Sequence, residues 1–330
     1  MAQPQLDYFK KRALAVKIET TEGVDAAPTA ALNAILLLNG SSGTEVDKVE
    51  RDIDLPYFSG TPFVVGNKRA FIEGDFELYP PATPGQAATS NADCEPLLLP
   101  AGMTAVKDGV GKTTRYNPVS ANIPSATAYF YHSGTHKKVL GARNELSGLS
   151  ISIGDRFKGK VKIIGSYTTV EEATIPAVVL PTKVPVVASA DNTVTKFSTV
   201  GGTGAGVNVT ALVVLAKNVD VDLGNEVGTS EYTSKRVGRI SDRKASFKTR
   251  IARTALADFD PWKIRDAGVI LTGNIRTTEG NALYSELGFR GQIEQINEID
   301  IDGDYGWELS GPCVASSAGG DEFYVLFGGP

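Results

Sequence analysis

The chain has 330 residues, 42% of them apolar and 22% charged, with a formal net charge of −5. That balance lies near the globular average and excludes disorder of the whole chain, collagen-like repeats and low-complexity classes. The longest apolar runs, at 35–38 and 211–215, fall far short of the roughly 20 residues that a membrane span needs.

In chain order, strands are predicted at 14–20 and 33–39, and then at 68–78. In the last of these Ala70, Ile72, Phe76 and Leu78 fall on one side and Glu73, Asp75 and Glu77 on the other, the period-2 signature of a strand with one wet face. A short helix is predicted at 91–100, around Glu95-Pro96-Leu97-Leu98. Strands follow at 127–132, 149–153, 159–165, 210–216 and 245–252, separated by Gly, Pro, Asn and Asp turn chemistry. A second helix at 256–267 carries Asp260 before Pro261, a helix-start signal. Strands at 269–274, 299–302 and 322–327 complete the pattern, with Ile299 and Ile301 facing inward and Asp300 and Asp302 on the polar face. Alternation on one face argues for antiparallel sheets with one side buried.

The two helices expose an internal repeat. Ala92-Asp93-Cys94-Glu95-Pro96 with Ala101-Gly102 echoes Ala257-Asp258-Phe259-Asp260-Pro261 with Ala267-Gly268. Four further echoes keep the same chain order: 34–38 with 211–215, 67–70 with 242–245, 140–143 with 287–290, and 151–157 with 299–305. An order-preserving series is what duplication leaves behind. The expected organisation is an N-terminal arm at 1–30, a first β-domain at 31–167, a linker or excursion at 168–207 and a second β-domain at 208–330.

Signals for chemistry are weak. Gly109-Val110-Gly111-Lys112-Thr113 has the tail of a phosphate loop, but Val106 stands where the motif needs glycine, so a surface turn is expected. The glycines at 201–206 lack the strand-then-helix setting of a dinucleotide fold and read as a loop. Asp300, Asp302 and Asp304 open like a calcium loop, yet Tyr305 and Gly311 occupy the positions that need Gly and Glu. They read instead as an acidic stripe along a strand. The only histidines, His132 and His136, have no cysteine nearby to complete a zinc site, and no Gly-x-Ser-x-Gly elbow is present. Trp262 and Trp307 read as packing residues. Cys94 and Cys313 read as buried small apolar residues in a reducing compartment, and residues 1–17 lack the apolar block of a secretory signal. No cofactor, metal or catalytic residue is assigned.

Charge is informative by region. Residues 1–167 carry 18 basic and 17 acidic residues, whereas 168–330 carry 15 and 21. Within the second half the signs separate. Residues 235–253 hold eight basic side chains, among them Lys235, Arg236, Arg239, Arg243 and Lys244, and one acid, while 291–330 hold eight acids, including Asp300, Asp302, Asp304 and Glu308, and no base. Two opposite runs on one chain suit self-association, the basic run of one subunit meeting acids of the next. The acidic overall charge argues against specific nucleic-acid binding.

The N-terminal succession is more specific. Glu19-Thr20-Thr21-Glu22-Gly23-Val24-Asp25-Ala26-Ala27-Pro28-Thr29 precedes Asn33-Ala34-Ile35, then Val49-Glu50-Arg51-Asp52, the strand from Lys68 and the Glu95-Pro96-Leu97-Leu98 helix before Ala101-Gly102. Over about residues 10–170 this resembles the major tail tube protein of long, non-contractile-tailed bacteriophages. The resemblance implies a mainly β fold of two tandem tail-tube-type sandwich or barrel domains, each with a short flanking helix, plus an extended arm and long loops. It further implies a structural virion protein, not an enzyme, that is assembled in the host cytoplasm and stacks as rings into the tail tube. The repeat favours a trimer with pseudo-sixfold symmetry over a hexamer. The implied partners are other copies of the chain, the tape measure protein and other tail proteins, with DNA passing along a bore lined by the acidic stripe. The arm and the loop at 41–65, represented by Glu19, Asp25, Pro28, Glu50, Arg51 and Asp52, are expected to order on a neighbouring ring. A carbohydrate- or receptor-binding sandwich and a hydrolase on a β scaffold are the rival readings.

Overall fold

The computed structural model describes residues 11–330 except 52, 54, 55, 57, 58, 86–91, 180–184 and 234. The protein is almost entirely antiparallel sheet. In the first half, β1 (Arg12–Ile18), β2 (Ala34–Ile35), β3 (Leu37–Val49) and β4 (Val64–Glu77) precede α1 (Glu95–Leu98) and a 3-10 turn (Leu99–Ala101). There follow β5 (Met103–Asp108), β6 (Thr113–Pro118), β7 (Ala126–His132), β8 (Thr135–Ser152), β9 (Lys158–Tyr167) and the two-residue β10 (Glu171–Glu172). The second half comprises β11 (Thr193–Val200), β12 (Leu212–Val214), β13 (Ala216–Asp222), β14 (Asn225–Tyr232), β15 (Lys235–Arg243), β16 (Ser246–Ala252) and α2 (Pro261–Asp266). It ends with β17 (Ile270–Thr278), β18 (Tyr284–Gln292), β19 (Gln295–Ile301), β20 (Asp304–Pro312) and β21 (Phe323–Gly328).

The two halves pair strand for strand. In the first, β2-β1-β7-β8 and β3-β4-β9-β8 are two runs of one continuous sheet that share the 18-residue β8. In the second, β12-β11-β17-β18 and β13-β16-β20-β19 repeat this order, and β8's place is taken by β18 and β19 in succession. Both long hairpins share a bulge. Val46 faces Lys68 and Lys48 faces Val65 in one, as Asn225 faces Arg243 and Val227 faces Ile240 in the other, with the extra residue on the second strand each time.

Apolar faces of the sheets meet over one core. On the second half Phe247 of β16 stacks on Phe289 of β18, centroids 4.3 Å apart. Phe259 and Ile264, flanking and within α2, close the end of that layer. Asp260 caps α2 by accepting the Lys263 amide at 3.1 Å, with Pro261 in the first turn as its sequence signals. The halves are joined at two seams. Residues 149–152 of β8 pair with 218–221 of β13, and β6 pairs with β21, so each half completes a sheet of the other.

Several expectations need correction. The span 1–30 contains β1, a central strand between β2 and β7, and the span 168–207 contains β11, its counterpart between β12 and β17. The segment 41–65 is largely hairpin, since β3 runs to Val49 and β4 starts at Val64. Residues 109–112, by contrast, are the exposed turn of the β5–β6 hairpin, as expected of them.

Candidate assembly surfaces

The wet face of the sheet β3-β4-β9-β8-β13-β16-β20-β19 is organised by charge. Glu73 and Asp75 of β4 stand directly opposite Lys162 and Lys160 of β9, while Glu77, at the end of the strand, is buried and pairs with Arg156. Glu145 of β8 faces Lys162 from the other side. Across the seam Asp220 of β13 faces Lys248 of β16, and Arg250 faces Glu308 of β20. Directly opposed residues on antiparallel strands share a face, so sign alternates from β4 through β9 to β8 and again from β13 through β16 to β20, with carboxylates on both sides of the seam. Glu308 closes a three-way contact, 3.0 Å from Lys248 and 2.7 Å from Arg250. Burial alone raises its pKa, but the bonds from Arg250 and Lys248 outweigh that and hold it below the usual value. Its contribution to stability is therefore full above the unfolded glutamate pKa of about 4.3 and is lost as pH falls through the lower folded value. Both cations are half-exposed, so Glu308→Gln is expected to cost about 1 kcal/mol at pH 7. Urea unfolding should show that difference shrink as pH falls below the unfolded glutamate pKa and vanish below the folded one.

The acidic stripe is dispersed by the β19–β20 hairpin. Asp302 and Gly303 both have positive φ and form its two-residue turn, the conformation that Asp-Gly favours. Lys217 holds Asp302 at 2.6 Å, and Asp300 accepts the Gly303 amide at 2.7 Å. The register places Asp300 opposite Tyr305 and Glu298 opposite Trp307, while Ile299 lies opposite Gly306. Asp300 is thus on the face of Tyr305 and Trp307, and Asp304 and Glu308 are on the other. By burial the expected alternation holds, with Ile299 and Ile301 half-buried and Asp300 and Asp302 exposed, although the register sets the two isoleucines on the face of Asp304 and Glu308.

The basic run supplies β15 and continues into β16, and the β14–β15 hairpin lies across β8 and β9 of the first half. Val237 is 7% exposed, and a Cβ on Gly238 would stand 2.7 Å from the Ile164 carbonyl oxygen. Arg236 pairs with Glu231 and donates to the Lys68 carbonyl at 2.8 Å. Arg243 donates to the Val119 and Gly102 carbonyls at 3.0 and 3.3 Å and pairs with Glu322 at 2.7 Å. Both are intrachain anchors, contrary to the expectation of contacts with a neighbour's acids. Lys244 pairs with Asp242 at the surface, 3.0 Å apart. Arg239 is exposed, and the side chain of Lys235 lies outside the described set.

The N-terminal segment is tied to its own chain. The buried Glu19 carboxylate accepts from the amides of Gly23 (2.7 Å) and Gly141 (2.8 Å) and from the hydroxyls of Ser125 (2.5 Å) and Thr127 (2.8 Å). Asp25 accepts the Tyr129 hydroxyl at 2.5 Å, and Pro28 is buried. Glu50 and Arg51 are exposed at the far end of the first hairpin. Asp52 and residues 1–10 lie outside the described residues. These anchors replace the expectation that Glu19, Asp25 and Pro28 order on a neighbouring ring. Sequence reasoning missed Arg143, which is buried and donates to Glu22 at 2.8 Å and to the Ile123 carbonyl at 3.0 Å. Its place in the Leu140–Arg143 echo was the available signal.

Strands paired on one side only among the described residues include β2, β5 and β12, and two more bound the charged face. Among the described residues β3 is hydrogen-bonded to β4 alone and β19 to β20 alone. Cys94 is buried and Cys313 partly so, both as free thiols. Burial pushes the Cys313 thiol up to about 12, with the Glu322 carboxylate adding to the effect. Among the described residues no helix is long and apolar enough to cross a membrane.

The fold and these surfaces define a structural β-sandwich protein whose organised features are a charge-paired face and open sheet edges. A family model described as phage tail tube protein matches residues 10–260, which is more than half of the chain, and the chain belongs to that family. No curated protein matches it. The protein is accordingly a structural component of a bacteriophage virion tail, in a family of structural proteins and not of enzymes.

Proposed function

We propose that the chain forms the tail tube of a long, non-contractile tail as stacked rings of three chains, each chain supplying two duplicated domains to a pseudo-sixfold wall. The observation that carries this is the internal seam. Residues 149–152 of β8 pair with 218–221 of β13 inside one chain. The equivalent strands, β19 of the second half and β3 of the first, have the corresponding edges open among the described residues. Repeating the seam between chains lays residues 298–301 of one antiparallel to 39–42 of the next. A heterologous contact of this kind closes into a ring when the rotation allows. Closure also removes edges that otherwise invite uncontrolled association. In the isolated chain the Arg12 guanidinium caps the Gly40 carbonyl on this edge.

The charged sheet face then lines the bore. Rows of lysine flanked by rows of carboxylate leave no uncompensated positive strip for phosphate, so DNA slides without being held. This replaces a purely acidic lining. The tape measure protein occupies the same bore before ejection, and other tail proteins meet the ends of the tube.

Negative-stain microscopy and mass photometry are expected to show rings of three times the 34.9 kDa chain mass, and tubes at higher concentration. Ile301 and Asp304 flank the two-residue turn, so alternate residues of β19, Glu298 among them, direct their amides away from β20. Glu298→Pro is therefore expected to leave the chain folded and abolish rings. Normal tubes from this variant would refute the edge pairing.

A further inference from the structure

A repeated motif is treated differently in the two halves. α1 ends through Ala101-Gly102 and α2 through Ala267-Gly268, with the glycine left-handed in both, φ +81 and +63. Ala101 and Gly102 are buried, whereas Ala267 and Gly268 are exposed. The first pair is covered on one side by Val119 and Ile123, each with an atom 3.3 Å from a Cβ on Gly102, and on the other by the base of the β14–β15 hairpin. Asn225 donates its side-chain amide to the Ala101 carbonyl at 2.7 Å, Arg243 donates to the Gly102 carbonyl, and a Cβ on Gly102 would stand 3.5 Å from Ile240 Cδ1. Around Gly268 the corresponding space is open among the described residues, with Gln292 Nε2 alone within 4 Å of such a Cβ.

The register names the residues of the first hairpin that stand where these three stand in the second. Val46 takes the place of Asn225, Val65 that of Ile240 and Lys68 that of Arg243, with the shared bulge between them. All three are at the surface, and Val46 and Val65 are 37% and 49% exposed. Beside Val65, Phe63 and Val64 are also half exposed, an apolar patch on a hairpin whose counterpart is packed down. Exposed apolar clusters of this kind mark contact surfaces.

We propose that the end of α2, at Ala267-Gly268, is the seat for the base of the β3–β4 hairpin of the next copy of this chain. Val65 packs on Gly268, and the Lys68 ammonium meets the carbonyls that terminate the helix, the favourable end for a cation. The proposal rests on the ring reading above and adds a second contact to its seam. Each hairpin in the ring then lies over the neighbouring half, one by covalent connection and the other by assembly.

Cysteine cross-linking tests this in the full chain. In a Cys313→Ser background, Val65→Cys combined with Ala267→Cys is expected to give disulfide-linked dimers and trimers under mild oxidation when rings are present. Neither single variant should do so. Rings that assemble without forming these species would overturn the docking while leaving the edge pairing intact, and wild-type protein that never leaves the monomer would overturn both. In a second measurement, Val65→Asp is expected to reduce ring yield at least tenfold with the melting temperature of the isolated chain unchanged. Ile240→Asp, at the seated counterpart, is expected to lower that melting temperature. A drop in the melting of isolated Val65→Asp equal to that of Ile240→Asp would show the first hairpin packed within its own chain and would overturn the proposal.

Discussion

Glu19→Ala is expected to lose about 3–5 kcal/mol of unfolding free energy, because four donors, two of them backbone amides, lose their acceptor inside the fold. The carboxylate gathers three separate parts of the first half: the turn after β1, the entry to β7 around Ser125 and Thr127, and the bend of β8 at Gly141. Gly141 has φ +57, so its amide is aimed by a conformation that other residues resist. Glu19→Gln keeps the shape but must turn an NH2 toward donors, and a loss of about 1–3 kcal/mol is expected. Urea midpoints with an unchanged m-value measure both. An alanine variant that loses less than about 1 kcal/mol, the worth of a single ordinary hydrogen bond, would mean that the segment is held by β1 pairing alone.

Arg243→Glu is expected to cost about 3–5 kcal/mol in the isolated chain, since it strips the donor from two backbone carbonyls and sets a second carboxylate beside the buried Glu322. Arg239 lies on the same hairpin but is exposed, and its reversal to Glu should shift stability by no more than about 0.5 kcal/mol. Thermal and urea unfolding of the two variants separate the roles, and equal losses would contradict the assignment. Formal charge alone makes the two arginines look alike.

Much of the fold is legible in the residues, for identifiable reasons. The strand at 68–78 alternates because one face of β4 is core and the other is wet, and Asp260-Pro261 announces α2 through its cap. The β5–β6 hairpin and β11 escape the pattern because polar residues sit on their buried side. Thr114 and Thr195 are both buried, and a threonine facing inward erases the contrast that period-2 reading needs. The β14–β15 hairpin is invisible for another reason. Val237 and Gly238 are buried by β8 and β9 from the other half, a contact far removed along the chain. At β19 the alternation is legible as burial, Ile299 and Ile301 half-buried and Asp300 exposed, while the face each strand shares with its neighbour is fixed only by register. Of the candidate surfaces, the opposed charges of β4 and β9 could be read only once the strands were paired. The tethering of Glu19 shows the converse, a motif that marks the family while its side chain serves the chain's own interior.

The covalent link between the two halves has a kinetic consequence for the proposed ring. Every second seam, the one between β8 and β13, forms at an effective concentration set by the connecting chain and is indifferent to dilution. Only the alternate seams form between chains, so two encounters and one closure complete a circuit that six separate domains would need five encounters and one closure to complete. Dilution should accordingly release intact single chains, with both of their halves still joined.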